Sequence, residues 1–350
     1  MDTQHNIPML ELMLRPAFYV SGGKITQCNS AAAPFLLTEG TDILSLMVNG
    51  TEEYEAFEQG CLYLMLRIGT RNVGATVLAL EDRHLFLLDQ PSEATELRVL
   101  SLAARELRAT LGAMSISASH LSAEDPEHLG QFNRRLYQSM RIVSNMADAA
   151  LYCEAGSENM EGAEICAWLE ELLCKTAAQL EEAGLALRYS LPSSPIYIMA
   201  DIEKLERAVY NLISNAAKHS APGGRISVQL SHHGRRLYLS VADEGDGMAG
   251  SLGNVYTRYL RTPSISDGLE GIGLGMVLVR SVATLHGGAV LIDSPQGKGT
   301  RVTMTLQTQP KGQISLRSPI LRMDYAGERD HCLQELADVL PAKLYTPEHL

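Results

Sequence analysis

The spacing of apolar residues changes several times along this 350-residue chain and divides it into four predicted regions. Residues 1–92 show the short alternating patterns that are typical of antiparallel strands. Ala17–Val20 and Lys24–Cys28 flank a Ser-Gly-Gly turn and predict a hairpin, and Asn29–Leu37 predicts a short helix with an Asn-Ser cap. Three further strands in one antiparallel meander are expected at 61–68, 73–80 and 84–88.

Residues 93–155 show the three- and four-residue spacing of long amphipathic helices. The apolar seam of the first helix comprises Leu97, Leu100, Ala104, Leu107, Leu111, Met114, Ala118 and Leu121. After a turn at Ser122–Glu127, the seam of the second helix comprises Leu129, Phe132, Leu136, Ser139, Val143, Met146 and Ala150. Two helices with one narrow seam each cannot bury it alone, which predicts a hairpin that dimerises into a four-helix bundle. The alternative is a helix pair that packs against another domain of the same chain.

Residues 156–308 alternate helical patterns with strand patterns, which predicts an α/β two-layer sandwich. A polar linker at 155–163 is expected to act as a hinge in front of it. The expected helices are Glu164–Ala183 and a second one capped by Asp201. The expected strands are 186–190, 196–200, 226–230, 237–242, 289–293 and 301–307. The fold class is therefore multidomain α+β.

Residues 309–350 form a C-terminal extension of unknown role. Ile314–Asp324 predicts a strand or an extended segment, and His331–Leu340 has helical spacing. Two interpretations fit this pattern, a small partner-binding element and a lid on the preceding domain.

Composition narrows the function classes. The chain has 29 basic and 41 acidic residues and a net charge of −12, which argues against a general binder of nucleic acid or anionic membranes. No apolar stretch approaches the about 18 residues that cross a membrane, and the N-terminus lacks the pattern of a secretion signal. The six cysteines show no metal-ligand spacing and are expected to be reduced core thiols. A cytoplasmic protein without membrane insertion is therefore expected.

Polar motifs in the third region point to a nucleotide site. Asn211, Asn215 and Lys218 are spaced to share one face of a helix. Two amide oxygens and an ammonium can together hold Mg²⁺ and the phosphates that it bridges. Asp243 follows an apolar strand and can accept a hydrogen bond from an exocyclic amine such as that of adenine. The glycine-rich loop Gly268–Gly275 then leads into a helix whose N-terminal N–H groups suit a phosphate.

The order of these motifs, followed by Gly-Lys-Gly-Thr at 297–300, resembles the ATP-binding domain of bacterial sensor histidine kinases, part of the wider family that includes gyrase and Hsp90. The resemblance runs from about Glu164 to Leu306, and Tyr256–Arg261 is similar to the family's lid motif. Residues 1–92 resemble a PAS-like sensory domain, through the stretch VSGGKITQCNSAAAPFL. The architecture implied is a PAS-like domain, a HisKA-like dimerisation hairpin over 93–155 and a GHKL-type ATP-binding domain over 156–308.

This resemblance implies ATP and Mg²⁺ as ligands. Asn215 would be the main Mg²⁺ ligand, with Asn211 beside it. Lys218 would contact phosphate, Asp243 would hold the adenine amine, and Thr300 would line the adenine side of the cleft. The remaining positions that match the ATP-binding motifs are Gly245, Gly247, Met248, Arg258, Gly271, Gly273, Leu274 and Gly275.

The phosphoacceptor motif departs from the family pattern. The segment that matches the family's SHELRTPL-like motif is Ala104–Leu111, and it keeps the pattern at Glu106, Leu107, Arg108 and Leu111. Arg105 stands where the family has the histidine that receives the phosphate. A guanidinium stays charged and presents no nucleophilic lone pair, so it cannot form a phosphohistidine. Glu106, which in the family activates the histidine, has nothing to deprotonate.

The sequence therefore predicts a homodimeric, histidine kinase-like protein that binds Mg-ATP and acts as a pseudokinase, a nucleotide-dependent switch. One alternative is an active kinase that phosphorylates His120, another side chain or a partner in trans. A second alternative is an ATPase, which is disfavoured because Asn211 stands where gyrase-like members have the glutamate that activates water. A response regulator or a partner kinase is the expected protein partner, whereas the sensed signal stays open.

Overall fold

A computed structural model describes residues 9–89, 126–154, 160–247, 274–308 and 331–346, together with 103, 104, 107, 108, 110–112 and 114. Over these residues the fold is mixed α/β. In this part of the chain no helix combines the length and the hydrophobicity that a membrane crossing requires.

The N-terminal region is an antiparallel sheet with short helical segments on its connections. Its elements are β1 (Ala17–Ser21), β2 (Lys24–Cys28), α1 (Thr51–Glu55), β3 (Cys61–Ile68), β4 (Arg71–Ala79) and β5 (His84–Leu88). The strands lie in the order β2-β1-β5-β4-β3, which confirms the predicted hairpin and the predicted meander. Asn29 caps the predicted short helix by accepting a hydrogen bond from the Ala32 N–H at 3.1 Å. That helix is a 3₁₀ helix, Ser30–Phe35, which contains Pro34.

The predicted second long helix is confirmed as α2 (Pro126–Glu154), and the described residues of the first are helical too. Ala104 of the first helix packs on Val143 and Ala147 of α2. The apolar seam does not by itself predict which residues of α2 are buried, however. Phe132, a residue of the seam, is 44% exposed, whereas Arg141, which lies outside the seam, is buried. A second, polar face of α2 is thus buried against other helices of the same chain. For this face, the structure agrees with the alternative interpretation, in which the helix pair packs against another domain of the same chain. The dimer stays a prediction.

The third region combines helices and strands around one apolar core. Its elements in chain order are β6 (Glu161–Glu164), α3 (Ile165–Glu182), β7 (Ala186–Ser190), β8 (Tyr197–Ala200), α4 (Ile202–His219), β9 (Arg225–His233), β10 (Arg236–Asp243), α5 (Leu274–Leu285), β11 (Val290–Asp293) and β12 (Arg301–Gln307). The strands of its main sheet lie in the order β11-β12-β10-β9-β7, antiparallel except for the parallel pair β7 and β9. Side chains of α3, α4 and α5 fill the core with this sheet, as the predicted two-layer sandwich requires.

Some expectations for the segments around this sandwich were wrong. The hinge expected at 155–163 overlaps β6, whose Glu161 pairs with Ala200 of β8, so ladder hydrogen bonds fix part of it. Cys174, expected in the core, is exposed, because it lies on the outer face of α3.

The C-terminal extension contains the helix α6 (His331–Glu335) and a 3₁₀ helix, Ala342–Tyr345. Its helical prediction is confirmed only in part, since α6 ends at Glu335. Tyr345 is fully buried and belongs to the same core as the sandwich, so the boundary drawn at residue 308 does not divide that core.

One ten-stranded sheet joins the N-terminal region to the sandwich. Val290 of β11 pairs with Tyr63 of β3, and the ladder continues antiparallel from there. Asn49 reinforces the junction, because its Nδ2 donates to the Gly288 carbonyl at 2.7 Å while its Oδ1 accepts from the Met65 N–H at 2.7 Å. The boundary expected near residue 92 therefore separates segments of sequence that share a sheet.

Helix α4 is held in place at its N-terminus by polar contacts. Asp201 caps the helix by accepting from the Lys204 N–H at 3.2 Å, as predicted. The Asp201 N–H in turn donates to Nε2 of His286 at 3.2 Å. Since Nδ1 of His286 lies 2.7 Å from the Val282 carbonyl, Nδ1 carries the proton and the imidazole is neutral.

Acidification is expected to destabilise the protein through His286. Burial lowers the pKa of His286 below its usual 6.5, more strongly than the hydrogen bond to the Val282 carbonyl and the charge of Asp201 raise it. As the pH falls, the unfolded chain therefore binds a proton at this histidine before the folded chain does. The stability from neutral His286 is fully present above about pH 6.5 and is lost as the pH falls towards the folded-state pKa, by at most about 1.4 kcal/mol per pH unit. Thermal unfolding followed by circular dichroism between about pH 7.5 and 5.5 measures this loss.

Burial also lowers the pKa of His84, so more than one histidine contributes to the change of the free energy of unfolding with pH. The variant His286→Gln should therefore flatten the pH dependence only in part. His219→Gln, a matched substitution at an exposed histidine, controls for the replacement of an imidazole by an amide. Equal slopes for wild type and His286→Gln would contradict the assigned role of His286.

Candidate functional site

The candidate site begins on one face of α4. Asn211 is fully buried, Asn215 is half-buried and Lys218 is exposed near the end of the helix. The Asn211 Nδ2 donates to the Arg207 carbonyl one turn earlier, at 2.8 Å. This bond fixes the amide so that its acceptor oxygen, Oδ1, points away from its own helix. The spacing of these residues thus yields the shared face that the sequence predicted.

The N-terminus of α5 lies directly against this face. A Cβ atom on Gly275 would lie only 2.5 Å from Oδ1 of Asn211, so no residue larger than glycine fits there without displacing the amide. Leu274 is buried in an apolar cluster with Leu278 and Met146 of α2, which holds this end of α5 in place. Backbone N–H groups at a helix N-terminus therefore lie next to the amide of Asn211.

Asp243 closes the other side of the site, at the end of β10. Its Oδ1 accepts hydrogen bonds from the Gly245 N–H at 2.9 Å and the Thr300 N–H at 3.2 Å. Asp243 is 8% exposed. Its second oxygen, Oδ2, accepts no hydrogen bond from the described residues.

Close backbone contacts bring the loops of the site together. Gly299 has a φ of +75°, and a Cβ there would lie 2.0 Å from the Asp243 carbonyl oxygen. A Cβ on Gly245 would meet the carbonyl of His219, the last residue of α4, at 2.2 Å. The loop after β10 therefore touches both the C-terminal end of α4 and the segment that precedes β12.

The structure describes most of the predicted site residues and shows contacts within two groups of them. Gly275 lies against Asn211, and the helix of Asn211 also carries Asn215 and Lys218. Gly245 and Thr300 donate to Asp243. Gly247 lies close to the Gly299 carbonyl. Leu274 adjoins them but turns its side chain into the cluster with α2. The predicted residues that lie outside the described part of the chain are Arg105, Glu106, Met248, Arg258, Gly271 and Gly273.

A charged network that the sequence did not predict adjoins Asn211. Arg141 of α2 contributes its Nη2, 3.4 Å from Oδ1 of Asn211, and its Nε, 3.4 Å from Oε2 of Glu335. Arg207 of α4 donates to the Asn145 Oδ1 at 2.9 Å and pairs with both Asp148 and Glu335. Burial lowers the pKa of the Arg207 guanidinium, and the positive charges of Arg108 and Arg141 lower it further, whereas Glu335 raises it.

The network also reaches Lys218, the predicted phosphate contact. The Asp338 carboxylate lies 2.5 Å from the Lys218 Nζ and also pairs with Arg141. Both Glu335 and Asp338 come from the C-terminal extension. No sequence signal marked these residues, because polar side chains at helical spacing are typical of solvated helix faces.

Comparisons with known proteins find sequence similarity to one ATPase family and to sensor kinases. Residues 200–310 match the model of the histidine kinase-, DNA gyrase B-, and HSP90-like ATPase family. The sensor protein kinase PmrB of Pseudomonas aeruginosa is 29% identical over 254 residues, which cover 69% of this chain and 53% of PmrB. The sensor histidine kinase WalK of Bacillus subtilis is 36% identical over 121 residues, 33% of this chain and 20% of WalK. Among solved structures, the mycobacterial sensor histidine kinase MprB aligns with 43% of this chain and 99% of its own, at 26% identity and a TM-score of 0.35.

Residues 200–310, which include most of the sheet and the face of α4, are therefore similar to the histidine kinase-, DNA gyrase B-, and HSP90-like ATPase family. The chain is similar in sequence to bacterial sensor histidine kinases, which confirms the resemblance seen in the sequence. It spans about half the length of PmrB, at 53%.

Replacement of Gly275 by alanine should destabilise the protein. Alanine favours a helix over glycine by about 1 kcal/mol, and no positive φ requires glycine at this position, so any loss must come from the contact with Asn211. We expect the free energy of unfolding to fall by about 1–3 kcal/mol, the usual cost of overpacking. Urea denaturation followed by circular dichroism measures it.

The matched control is Gly112→Ala, at a helical glycine where an added methyl group meets no atom within 4 Å. This control should be as stable as the wild type or more so. If Gly275→Ala behaves like the control, the N-terminus of α5 is not held against Asn211.

Proposed function

We propose that this chain is a histidine kinase-like signalling protein that binds Mg-ATP and uses it as a conformational ligand rather than as a phosphate donor to its own hairpin. The observation that carries the proposal is the spacing of Asn211, Asn215 and Lys218 along α4, whose C-terminal end lies against the loop that follows Asp243. The family match over residues 200–310 supports ATP as the ligand.

The donor set suits a magnesium nucleotide. Asn215 and Asn211 offer amide oxygens, which are ligands that Mg²⁺ accepts. Lys218 supplies a positive charge for phosphate, and the adjoining N-terminus of α5 supplies N–H groups. Bound Mg²⁺ would neutralise phosphate charge. Asp243 would accept from the adenine amine through Oδ2, while Gly245 and Thr300 hold its other oxygen in a fixed direction.

The missing phosphoacceptor distinguishes this proposal from kinase activity. Arg105 stands at the position of the family's histidine, and its guanidinium cannot accept a phosphoryl group to give a phosphohistidine. PmrB and WalK, the relatives above, are sensor kinases by name. We therefore propose that this chain binds nucleotide as this family does but does not phosphorylate its own hairpin.

The other parts of the chain fit a sensor arrangement. The N-terminal sheet order β2-β1-β5-β4-β3 supports a PAS-like sensory domain. Packing of Ala104 on α2 supports a helical hairpin, and exposed Phe132 and Ile142 leave α2 an apolar surface for a second copy. A homodimer, a response regulator or partner kinase as the reader of its state, and a cytoplasmic location are parts of the same proposal.

Incubation with Mg²⁺ and ATP labelled on the γ-phosphate tests this function. We expect nucleotide to bind to the wild type, and Asn215→Ala to abolish binding because it removes a metal ligand. No acid-labile, base-stable label should remain on the wild-type protein. The variant Arg105→His restores an imidazole at the acceptor position and should gain such label.

Other outcomes select the alternatives. Label on the wild type that Asn215→Ala abolishes would establish an active kinase, and its mapping would start at His120 and at His128, which is exposed at the start of α2. Release of phosphate without label would establish an ATPase. An amide at Asn211 cannot take a proton from water, and we therefore expect no such release.

A further inference from the structure

The C-terminal segment, defined as residues 331–346, packs into the core of the sandwich and accepts hydrogen bonds from α2. Its apolar side chains Cys332, Leu333, Leu336, Ala337, Leu340 and Tyr345 are buried in that core. Asn133 of α2 donates to the Tyr345 carbonyl at 3.0 Å, and Arg134 donates to the carbonyls of Ala337 and Asp338 at 3.1 and 3.0 Å. The chain path therefore fixes where the acidic side chains of the segment lie.

These acidic side chains are the counterions of the cations beside Asn211. Arg141, Arg207 and Lys218 all pair with Glu335 or Asp338. The carboxylate that α2 itself supplies to this group is Asp148, which pairs with Arg207 and, at 3.5 Å, with half-exposed Arg108. Without the segment, Arg141 and Lys218 would lack the carboxylates that they now share. The acids of the segment thus supply the negative charge that a phosphate would otherwise supply.

The two acids differ in how easily they can be displaced. The side chain of Glu335 is 5% exposed and pairs with Arg141, 5% exposed, and Arg207, 14% exposed. Breaking those pairs would leave charges unpaired where little water reaches them, which is strongly destabilising. Asp338 lies at the rim, with its side chain 25% exposed and that of Lys218 32% exposed. A pair that water reaches contributes less to stability than a buried one. Asp338 also pairs with buried Arg141, but Arg141 keeps Glu335 as a partner when Asp338 leaves. The Asp338 side chain can therefore move away from Lys218 without unfolding of the segment.

We propose that Asp338 is an internal anionic ligand of the nucleotide site, and that it must leave Lys218 before the phosphates of a nucleotide can bind there. This inference rests on the proposed function, which assigns Lys218 to phosphate. Displacement of Asp338 also frees an edge of Arg141, whose guanidinium already lies beside Asn211, to face the incoming phosphates. By linkage, nucleotide binding and the contact between Asp338 and Lys218 weaken each other by the same coupling free energy.

The test compares nucleotide affinities of full-length variants. Asp338→Asn keeps the size of the side chain and removes its charge, while Arg141 retains Glu335 as a partner. We expect the Kd of AMPPNP with Mg²⁺, measured by calorimetry, to fall about 5- to 100-fold relative to wild type. Glu182→Gln is the matched control, because it removes the exposed ion pair between the same segment and α3, 2.5 Å from the Lys343 Nζ, away from Asn211. That control should keep the wild-type Kd.

A second measurement uses the wild-type protein and does not depend on a substitution. Hydrogen exchange of backbone amides in residues 331–346 should become faster when Mg²⁺ and AMPPNP are added, because the segment loses its contact at the rim. Slower or unchanged exchange there would overturn the proposal, as would an unchanged Kd for Asp338→Asn. A Kd that rises in Asp338→Asn with Mg²⁺ but not with EDTA would make Asp338 a metal ligand and would also overturn it.

Failure of the proposed function has a different signature. If neither the wild type nor Asp338→Asn binds AMPPNP while both retain their circular dichroism spectra, the nucleotide site itself is wrongly assigned. If both bind with equal affinity, the nucleotide site stands and only the role of Asp338 is refuted.

Discussion

The buried amide of Asn211 is the interaction on which the arrangement of the helices depends. A buried polar group must find partners, because an unpaired one costs several kcal/mol. Its nitrogen is satisfied within α4 by the Arg207 carbonyl, which leaves the oxygen to be met from outside. The N-terminus of α5 approaches this oxygen at Gly275, and α2 reaches it with Arg141. Arg141 is itself buried and therefore requires acids, which come from the C-terminal segment.

Helix α2 consequently has several partners at once. It packs on Ala104 of the preceding helix, on Leu274 and Leu278 of α5 through Met146, and on the C-terminal segment through Asn133. In a protein of this kind, a rotation or shift of one helix changes all these contacts together, since packed interfaces repack in discrete steps. The helix that is expected to carry the dimer contact is thus also the helix that reaches the amide of the candidate nucleotide site.

Much of the local structure was predictable from the sequence, because periodicity and caps act over short distances. Asp201 and Asn29 cap their helices as expected, and the spacing of Asn211, Asn215 and Lys218 places them on one face of α4. The pairing of β3 with β11 was not predictable, since any strand with a free edge presents the same backbone groups. The polar face of α2 was missed for a related reason, because a buried arginine and an exposed one look alike until their partners are known.

The shared sheet also determines how the two fragments of the chain would behave if it were cut between the N-terminal region and the sandwich. Where β3 meets β11, each strand covers the hydrogen-bonding edge of the other, and Glu53 is buried between Arg236 and Thr305 at 3.5 and 2.7 Å. Cutting the chain near residue 92 would leave two fragments, each with an exposed strand edge that is free to pair with a copy of itself. The fragment with the sandwich would also lose both carboxylates beside Arg236, those of Glu52 and Glu53. We therefore expect each fragment, when separated from the other, to self-associate through its exposed strand edge.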